Sequence, residues 1–127
     1  MQVFIKDQSG TGAITHEMMV EFLTEHITLR ELIRGRVYQE VQDYNLARGN
    51  KTLGIEQLSR APSTTAFTAQ AKTADFQTEF DRAIDAFQRS RYFVLVGDQQ
   101  PMDLDEEIVL RPDTEVTFVR LVYLAGG

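Results

Sequence analysis

The chain has 127 residues, no cysteine, and a formal net charge of −6 from 13 basic and 19 acidic side chains. This length suits one domain with its own core, and the absence of cysteine excludes a disulfide scaffold and a cysteine nucleophile. The acidic balance argues against a nucleic-acid partner, and no apolar run approaches the ~20 residues of a membrane span. We therefore expect a single cytoplasmic domain over residues 1–127 with no membrane partner.

The first 23 residues predict a strand hairpin. Residues 2–6 alternate, with Val3 and Ile5 on one face and Phe4 on the other. Period-two alternation of β-branched and aromatic residues is typical of a strand. Residues 13–23 alternate in the same way after a turn rich in glycine and polar residues, so they predict the second strand of the pair.

A helix is predicted next, because the apolar period changes from two to about four. Thr28 and Glu31 have the spacing of a capping box, in which each side chain bonds the other residue's amide. One apolar stripe follows, formed by Leu29, Ile33, Val37 and Val41. We expect the helix to run to about Ala47 and to end at Gly49.

The middle of the chain predicts a long loop and a second helix. Residues 49–73 show no clear period and contain proline, glycine and a serine- and threonine-rich run. Residues 75–89 are amphipathic, with Phe76, Phe80, Ala83, Ile84 and Phe87 on one face. Aromatic residues at helical spacing usually pack into a core, so we expect this face to be buried.

Three further strands are predicted, at residues 92–96, at a short irregular segment within 102–110, and at 115–124. The first and last strands of the chain are both rich in β-branched residues. They can lie side by side as a parallel central pair, with the first helix crossing one face of the sheet. This order predicts an α+β fold of the β-grasp type, a mixed sheet packed on a helix, with a loop and a second helix inserted at about 49–91.

Four segments carry a resemblance to ubiquitin-like proteins. Residues 1–6, Met-Gln-Val-Phe-Ile-Lys, resemble the opening of ubiquitin, Met-Gln-Ile-Phe-Val-Lys. Residues 28–32 stand where the helix of ubiquitin begins, and residues 93–97 resemble its middle strand and the turn after it. Residues 124–127, Leu-Ala-Gly-Gly, resemble the diglycine tail of ubiquitin-like modifiers and of the sulfur carriers of molybdopterin and thiamine synthesis.

The resemblance covers residues 1–48 and 92–127 and is greatest to bacterial ubiquitin-like proteins encoded in conjugation operons. It implies that an activating enzyme adenylates the carboxylate of Gly127 with ATP. Gly126 would let the tail enter a narrow channel, and Leu124 and Ala125 would be recognised with it. Further implied partners are a conjugating enzyme, a deconjugating peptidase and target proteins. The chain itself would bind no cofactor and would not be an enzyme.

Two other functions stay open from the sequence. A sulfur carrier would bear a thiocarboxylate on Gly127. An interaction domain that is never conjugated would use the helix at 75–89 or an apolar patch on the sheet. Strand alternation and the resemblance place Phe4 and Val94 on the open face of the sheet, where Leu121 would extend them into that patch.

The remaining polar clusters give weaker predictions. Asp103, Asp105, Glu106 and Glu107 match the spacing of no calcium loop, so we expect an acidic surface loop that can face a basic patch of a partner. The two histidines, His16 and His26, lie in different elements and are expected to be solvated. We expect neither a catalytic residue nor a metal site in this chain.

Overall fold

The computed structural model describes residues 1–46, 54–59 and 73–121. The strands are β1 (Gln2–Gln8), β2 (Ile14–Glu21), β3 (His26–Thr28), β4 (Tyr92–Val96), β5 (Glu107–Val109) and β6 (Val116–Arg120). The helices are α1 (Leu29–Leu46), α2 (Gly54–Ser59) and α3 (Phe76–Gln88). None of the helices in these ranges is long and apolar enough to cross a bilayer.

The main sheet has the strand order β2-β1-β6-β4. Strands β1 and β6 pair in parallel at its centre, whereas the β1–β2 and β4–β6 pairs are antiparallel. The parallel pairing of the first and last strands that the sequence predicts is therefore confirmed. The fold is α+β, with a mixed sheet packed against a helix, and is consistent with a β-grasp arrangement.

Helix α1 begins as the sequence predicts. The amide of Glu31 donates to Oγ1 of Thr28 (3.1 Å), and the amide of Thr28 donates to Oε1 of Glu31 (3.2 Å). These reciprocal bonds satisfy two donors that a helix start otherwise leaves free. The predicted apolar stripe, Leu29, Ile33, Val37 and Val41, is buried in the core. The helix is described to Leu46, so its expected end near Gly49 lies outside the described residues.

The inner face of the sheet carries Val3 and Ile5, as predicted, but it also carries Val94. Val94 stands opposite Phe118 in the β4–β6 register, and both side chains are fully buried. Since Ile5 stands level with Val116, two residues before Phe118, all of these side chains point to the same face. The prediction that Val94 lies on the open face is wrong. Strand β4 is apolar at every position, so alternation alone does not fix which side chains face inward.

Two elements differ from the sequence prediction. Strands β3 and β5 form a separate antiparallel pair of three residues each, and β3 escapes prediction because so short a run has no measurable period. Helix α2 occupies part of the predicted loop at 49–73, where Ile55 and Leu58 are buried. Six residues are too few for helical periodicity to be visible in the sequence.

A buried ionic cluster fixes helix α2 to the sheet and to α1. The guanidinium of Arg36, fully buried, donates to both carboxylate oxygens of Asp7 and to Oε2 of Glu40 (3.3 Å). The other oxygen of Glu40 accepts the amide of Ile55 at 2.6 Å. A Cβ at Gly54 would lie 2.6 Å from Oε2 of Glu40, so the close approach of α2 requires glycine there.

The charge state of this cluster follows from its contacts. Burial by itself lowers the pKa of Arg36, but the neighbouring carboxylates of Glu40 and Asp7 outweigh it, so the net pKa is raised. The guanidinium also lies over the ring of Phe118, 4.6 Å from its centroid. Arg36 is therefore a permanent cation with two carboxylate partners inside the core.

Candidate functional site

The predicted tail, Leu124, Ala125, Gly126 and Gly127, lies outside the described residues. The structure does describe the point from which it leaves. The amide of Leu121 donates to the carbonyl of Arg91 (3.1 Å), which continues the pairing of β6 with β4 one residue beyond the strand. The six residues that follow Leu121 thus start from an anchored position beside β4.

The predicted patch of Phe4, Val94 and Leu121 does not form one surface. Val94 lies in the core, as described above. Phe4 is half-buried on the outer face, opposite Met19 of β2 and level with Glu115. Leu121 lies six residues farther along the same strand direction, which is about 20 Å. Lys6, which pairs with Glu115 at 3.7 Å, occupies the outer face next to Phe4 and interrupts the apolar surface.

A different apolar surface lies on the outer face, near the start of the tail. The β4–β6 register places Phe93 opposite Val119 and Leu95 opposite Thr117, on the side away from α1. Phe93, Leu95 and Leu121 are half-buried, and Val119 is buried among them. We call Phe93, Leu95, Val119 and Leu121 the outer stripe. Only Leu121 of this stripe belongs to the predicted patch, because the sequence prediction places the inward and outward residues of β4 the wrong way round.

The outer stripe leads into a groove with a cavity volume of about 590 Å³. Phe93 and Leu121 form part of its wall, with Phe87 and Ser90 at the end of α3. The loop after β4 and the start of α1 also line it, with Pro101, Met102, Asp103, Asp105 and Arg30. We call this cavity the tail-root groove, because the last described residue of the chain lines it.

Helix α3 shapes one wall of the tail-root groove through its C-terminal turn. The amide of Ser90 donates to the carbonyl of Phe87 (3.0 Å), and the amide of Arg91 donates to that of Ala86 (2.9 Å). These are the two bonds of a Schellman motif, whose turning residue is usually glycine. Here the turning residue is Ser90, whose backbone has a φ of +58°. A residue with a side chain therefore adopts a strained left-handed conformation in the groove wall.

The loop wall is organised by its own carboxylates. Asp103 Oδ1 accepts the amide of Asp105 (2.9 Å), and Glu106 Oε1 accepts that of Met102 (3.1 Å). Asp105 also contacts the guanidinium of Arg30 at 3.4 Å. Within the described ranges, no three carboxylate or histidine side chains are grouped so as to hold a metal ion. Asp103, Asp105, Glu106 and Glu107 are all exposed, so the acidic segment lies on the surface, and Asp103 and Asp105 line the groove.

Both histidines are expected from the sequence to be solvated; His26 is exposed and His16 is half-buried, and each contacts a carboxylate. His16 Nε2 lies 3.3 Å from Oε2 of Glu40, at the outer end of the buried ionic cluster. His26 Nδ1 lies 3.2 Å from Glu107 across the β3–β5 pair. Neither contact is visible in the sequence, because the partners are 24 and 81 positions apart.

The floor of the tail-root groove includes Tyr92, whose phenol is not available for chemistry. Its hydroxyl donates to the carbonyl of Ala83 at 2.8 Å, and the residue is almost fully buried. Burial raises the pKa of Tyr92 above that of an ordinary phenol, which is already protonated at neutral pH. The groove therefore has an apolar lining and charged residues at its edge. This arrangement suits the binding of a partner.

Comparisons with known proteins give no relative: the chain matches no protein-family model, no curated protein and no solved structure.

Proposed function

We propose that this chain is a ubiquitin-like protein modifier, adenylated at its C-terminal Gly127 by an activating enzyme and then joined to target proteins by an isopeptide bond. In this proposal the chain is the substrate of its enzymes and acts in the cytoplasm, and ATP is consumed by the activating enzyme. The conjugating enzyme, the deconjugating peptidase and the target proteins complete the set of partners.

The observation that carries the proposal is the position of the last strand. Strand β6 lies at the centre of the sheet, parallel to β1, and both pack beneath α1. The anchored residue Leu121 follows it, and the sequence then ends in Leu-Ala-Gly-Gly. A short tail that leaves a rigid domain at a fixed point suits presentation of a carboxylate to another protein. The central position of β6, together with the ubiquitin-like opening at residues 1–6, supports a β-grasp identity.

The chemistry requires little of the chain beyond its last residues. The carboxylate of Gly127 attacks the α-phosphorus of ATP, and pyrophosphate leaves, which gives an acyl-adenylate. A thiol or amine then attacks the carbonyl carbon, and AMP leaves with the bonding electron pair. Because glycine has no Cβ, the tail can extend in a narrow channel and its carbonyl stays unhindered. The activating groups belong to the partner enzymes.

Intact mass spectrometry tests the proposal. The full chain is incubated with ATP and its cognate adenylating enzyme, and a variant without Gly127 is the control. We expect an adenylate of the full chain, transfer to the enzyme, and no adduct of the shortened chain, whose circular dichroism should be unchanged. An unmodified full chain would contradict the proposal. In a parallel incubation with an added sulfide donor, sulfide would attack the acyl-adenylate and AMP would leave; a chain with one carboxylate oxygen replaced by sulfur, and no transfer to the enzyme in either incubation, would instead identify a sulfur carrier.

A further inference from the structure

The tail-root groove is the surface that any protein gripping the tail must meet. Leu121 lines the groove and is held by its bond to Arg91, and Gly127 is only the sixth residue after it. An extended segment of six residues spans about 20 Å. An enzyme that holds Gly127 in its own channel is therefore brought to within about that distance of the groove.

The groove has an exposed apolar seat. Met102 is 71% exposed, although large apolar side chains on a folded domain are usually more covered. It lines the same cavity as the half-buried side chains of Phe87, Phe93 and Leu121. Apolar side chains at the rim of a cavity favour the insertion of an apolar side chain from a partner.

The edge of the groove is acidic. Residues 98–107 contain five carboxylates and no lysine or arginine. Two of these residues, Asp103 and Asp105, line the groove, where Arg30 offsets only one of the two charges. The whole chain carries a net charge of −6, so the groove lies in a negative field that attracts a basic surface.

We propose that the tail-root groove is the docking site of a basic segment of the activating enzyme, which inserts an apolar side chain beside Met102 and places a lysine or arginine against Asp103. This inference rests on the proposed function and adds to it the part of the domain that is read together with the tail. It also gives the inserted helix α3 a role, since its end forms one wall of the groove.

The charge distribution favours this occupant over three others. Anionic lipid and nucleic acid are repelled by the acidic edge. A second copy of the chain would bring two acidic edges together. A basic protein surface with an apolar side chain satisfies both walls of the groove at once.

The test measures the KM and kcat of ATP–pyrophosphate exchange by the activating enzyme, with the full chain as the varied substrate. Met102→Ser removes the apolar contact, and Asp103→Asn removes the charge but keeps the oxygen that accepts the amide of Asp105. Met19→Ser and Asp113→Asn are the matched controls, because both residues are exposed and lie outside the groove.

We expect the double variant Met102→Ser/Asp103→Asn to raise KM by about tenfold with little change in kcat, since it weakens binding without touching the reacting carboxylate. The KM of the unaltered chain should also rise with added salt. If the double variant Met102→Ser/Asp103→Asn has the same KM as the double control Met19→Ser/Asp113→Asn, the groove assignment is overturned. The proposed function is left intact by that result. An unaltered chain that supports no exchange would overturn both.

A second measurement excludes the tail itself as the occupant. The amide resonances of Ser90, Met102 and Asp105 are compared between the full chain and a chain that ends at Tyr123, so that the new terminal carboxylate does not lie on Leu121. We expect these resonances to stay in place. Large shifts confined to the groove would mean that residues 124–127 fill it, and would contradict docking by the enzyme.

Discussion

The molecule contains two arginine–carboxylate groups that differ in their surroundings. Arg36 is fully buried between Asp7 and Glu40, whereas Arg30 meets Asp105 at the exposed edge of the tail-root groove. The buried group joins β1, α1 and α2, so its charges have no access to water if one partner is lost. The exposed group lies where a partner protein would bind. The same chemistry therefore stabilises the fold in the buried group, whereas in the docking that we propose the exposed group contributes to recognition.

The largest effect is expected from Arg36→Leu. This change leaves the carboxylates of Asp7 and Glu40 buried without their cation, which costs about 3–5 kcal/mol of unfolding free energy. The matched change at the surface, Arg30→Leu, should cost less than about 1 kcal/mol. Urea unfolding of both variants measures the difference, and equal losses would show that burial does not separate the two groups.

A smaller loss is expected from Gly54→Ala. The added Cβ would lie 2.6 Å from Oε2 of Glu40 and 2.8 Å from Oδ2 of Asp7, so α2 must shift away from the buried cluster. Such overpacking typically costs about 1–3 kcal/mol. Hydrogen exchange should show faster exchange at the Ile55 amide while the β1 and β6 amides stay protected. Unchanged exchange at Ile55 would mean that α2 does not depend on this contact.

A gain in stability is expected from Ser90→Gly. Glycine adopts the left-handed conformation without strain, so the free energy of unfolding should rise by about 0.5–1 kcal/mol. This figure includes the entropic cost of glycine in the unfolded chain. The melting temperature checks this directly. The control is Ser59→Gly at the end of α2, which loses the hydroxyl bond to the carbonyl of Ile55 (2.6 Å) and should lower the melting temperature instead. A drop in melting temperature for Ser90→Gly would contradict the strain inferred from its φ.

The smallest effect concerns Glu79 of α3, and it depends on pH. Burial raises the pKa of Glu79 above its usual value, and Glu56 and Glu40 add to the rise, although Arg82 opposes it. The folded state therefore holds this proton more tightly than the unfolded state. Stability from this group is present below pH 4.5 and is lost as the pH rises through the raised pKa.

Glu79→Gln removes that dependence. We expect the variant to be more stable than the unaltered chain at neutral pH, with the difference shrinking as the pH falls towards 4.5. Thermal unfolding at a series of pH values measures this difference. A variant that is less stable at neutral pH would show that the ion pair of Glu79 with Arg82 outweighs the burial of the carboxylate.

The elements that can be predicted from the sequence are those whose residues carry a strong period. The capping box of Thr28 and Glu31, the stripe of α1 and the parallel pairing of β1 with β6 all follow from patterns of local spacing and β-branched residues. Helix α3 is likewise predicted to within a residue at each end. In these segments the local secondary-structure preference agrees with the tertiary fold, so the sequence pattern alone is sufficient to predict the element.

The features that escape prediction from the sequence depend on contacts between distant residues. Alternation assigns Val94 to the wrong face because every residue of β4 is apolar, and only the pairing with Phe118 decides its direction. Arg36 and Glu40 are charged, yet they lie inside the core because Asp7, far away in the sequence, completes the cluster. The tail-root groove combines residues from α1, α3, β4 and the end of the described chain, so no local pattern marks it.

The most direct measurement of the central claim is tandem mass spectrometry of conjugates formed with ATP and the chain's activating and conjugating enzymes. Arg120 is the last site at which trypsin can cut the chain. We therefore predict target peptides that carry Leu-Val-Tyr-Leu-Ala-Gly-Gly, residues 121–127, on the side chain of a lysine. Conjugates attached through any other residue, or no conjugates from an adenylated chain, would contradict the claim that Gly127 is joined to target proteins.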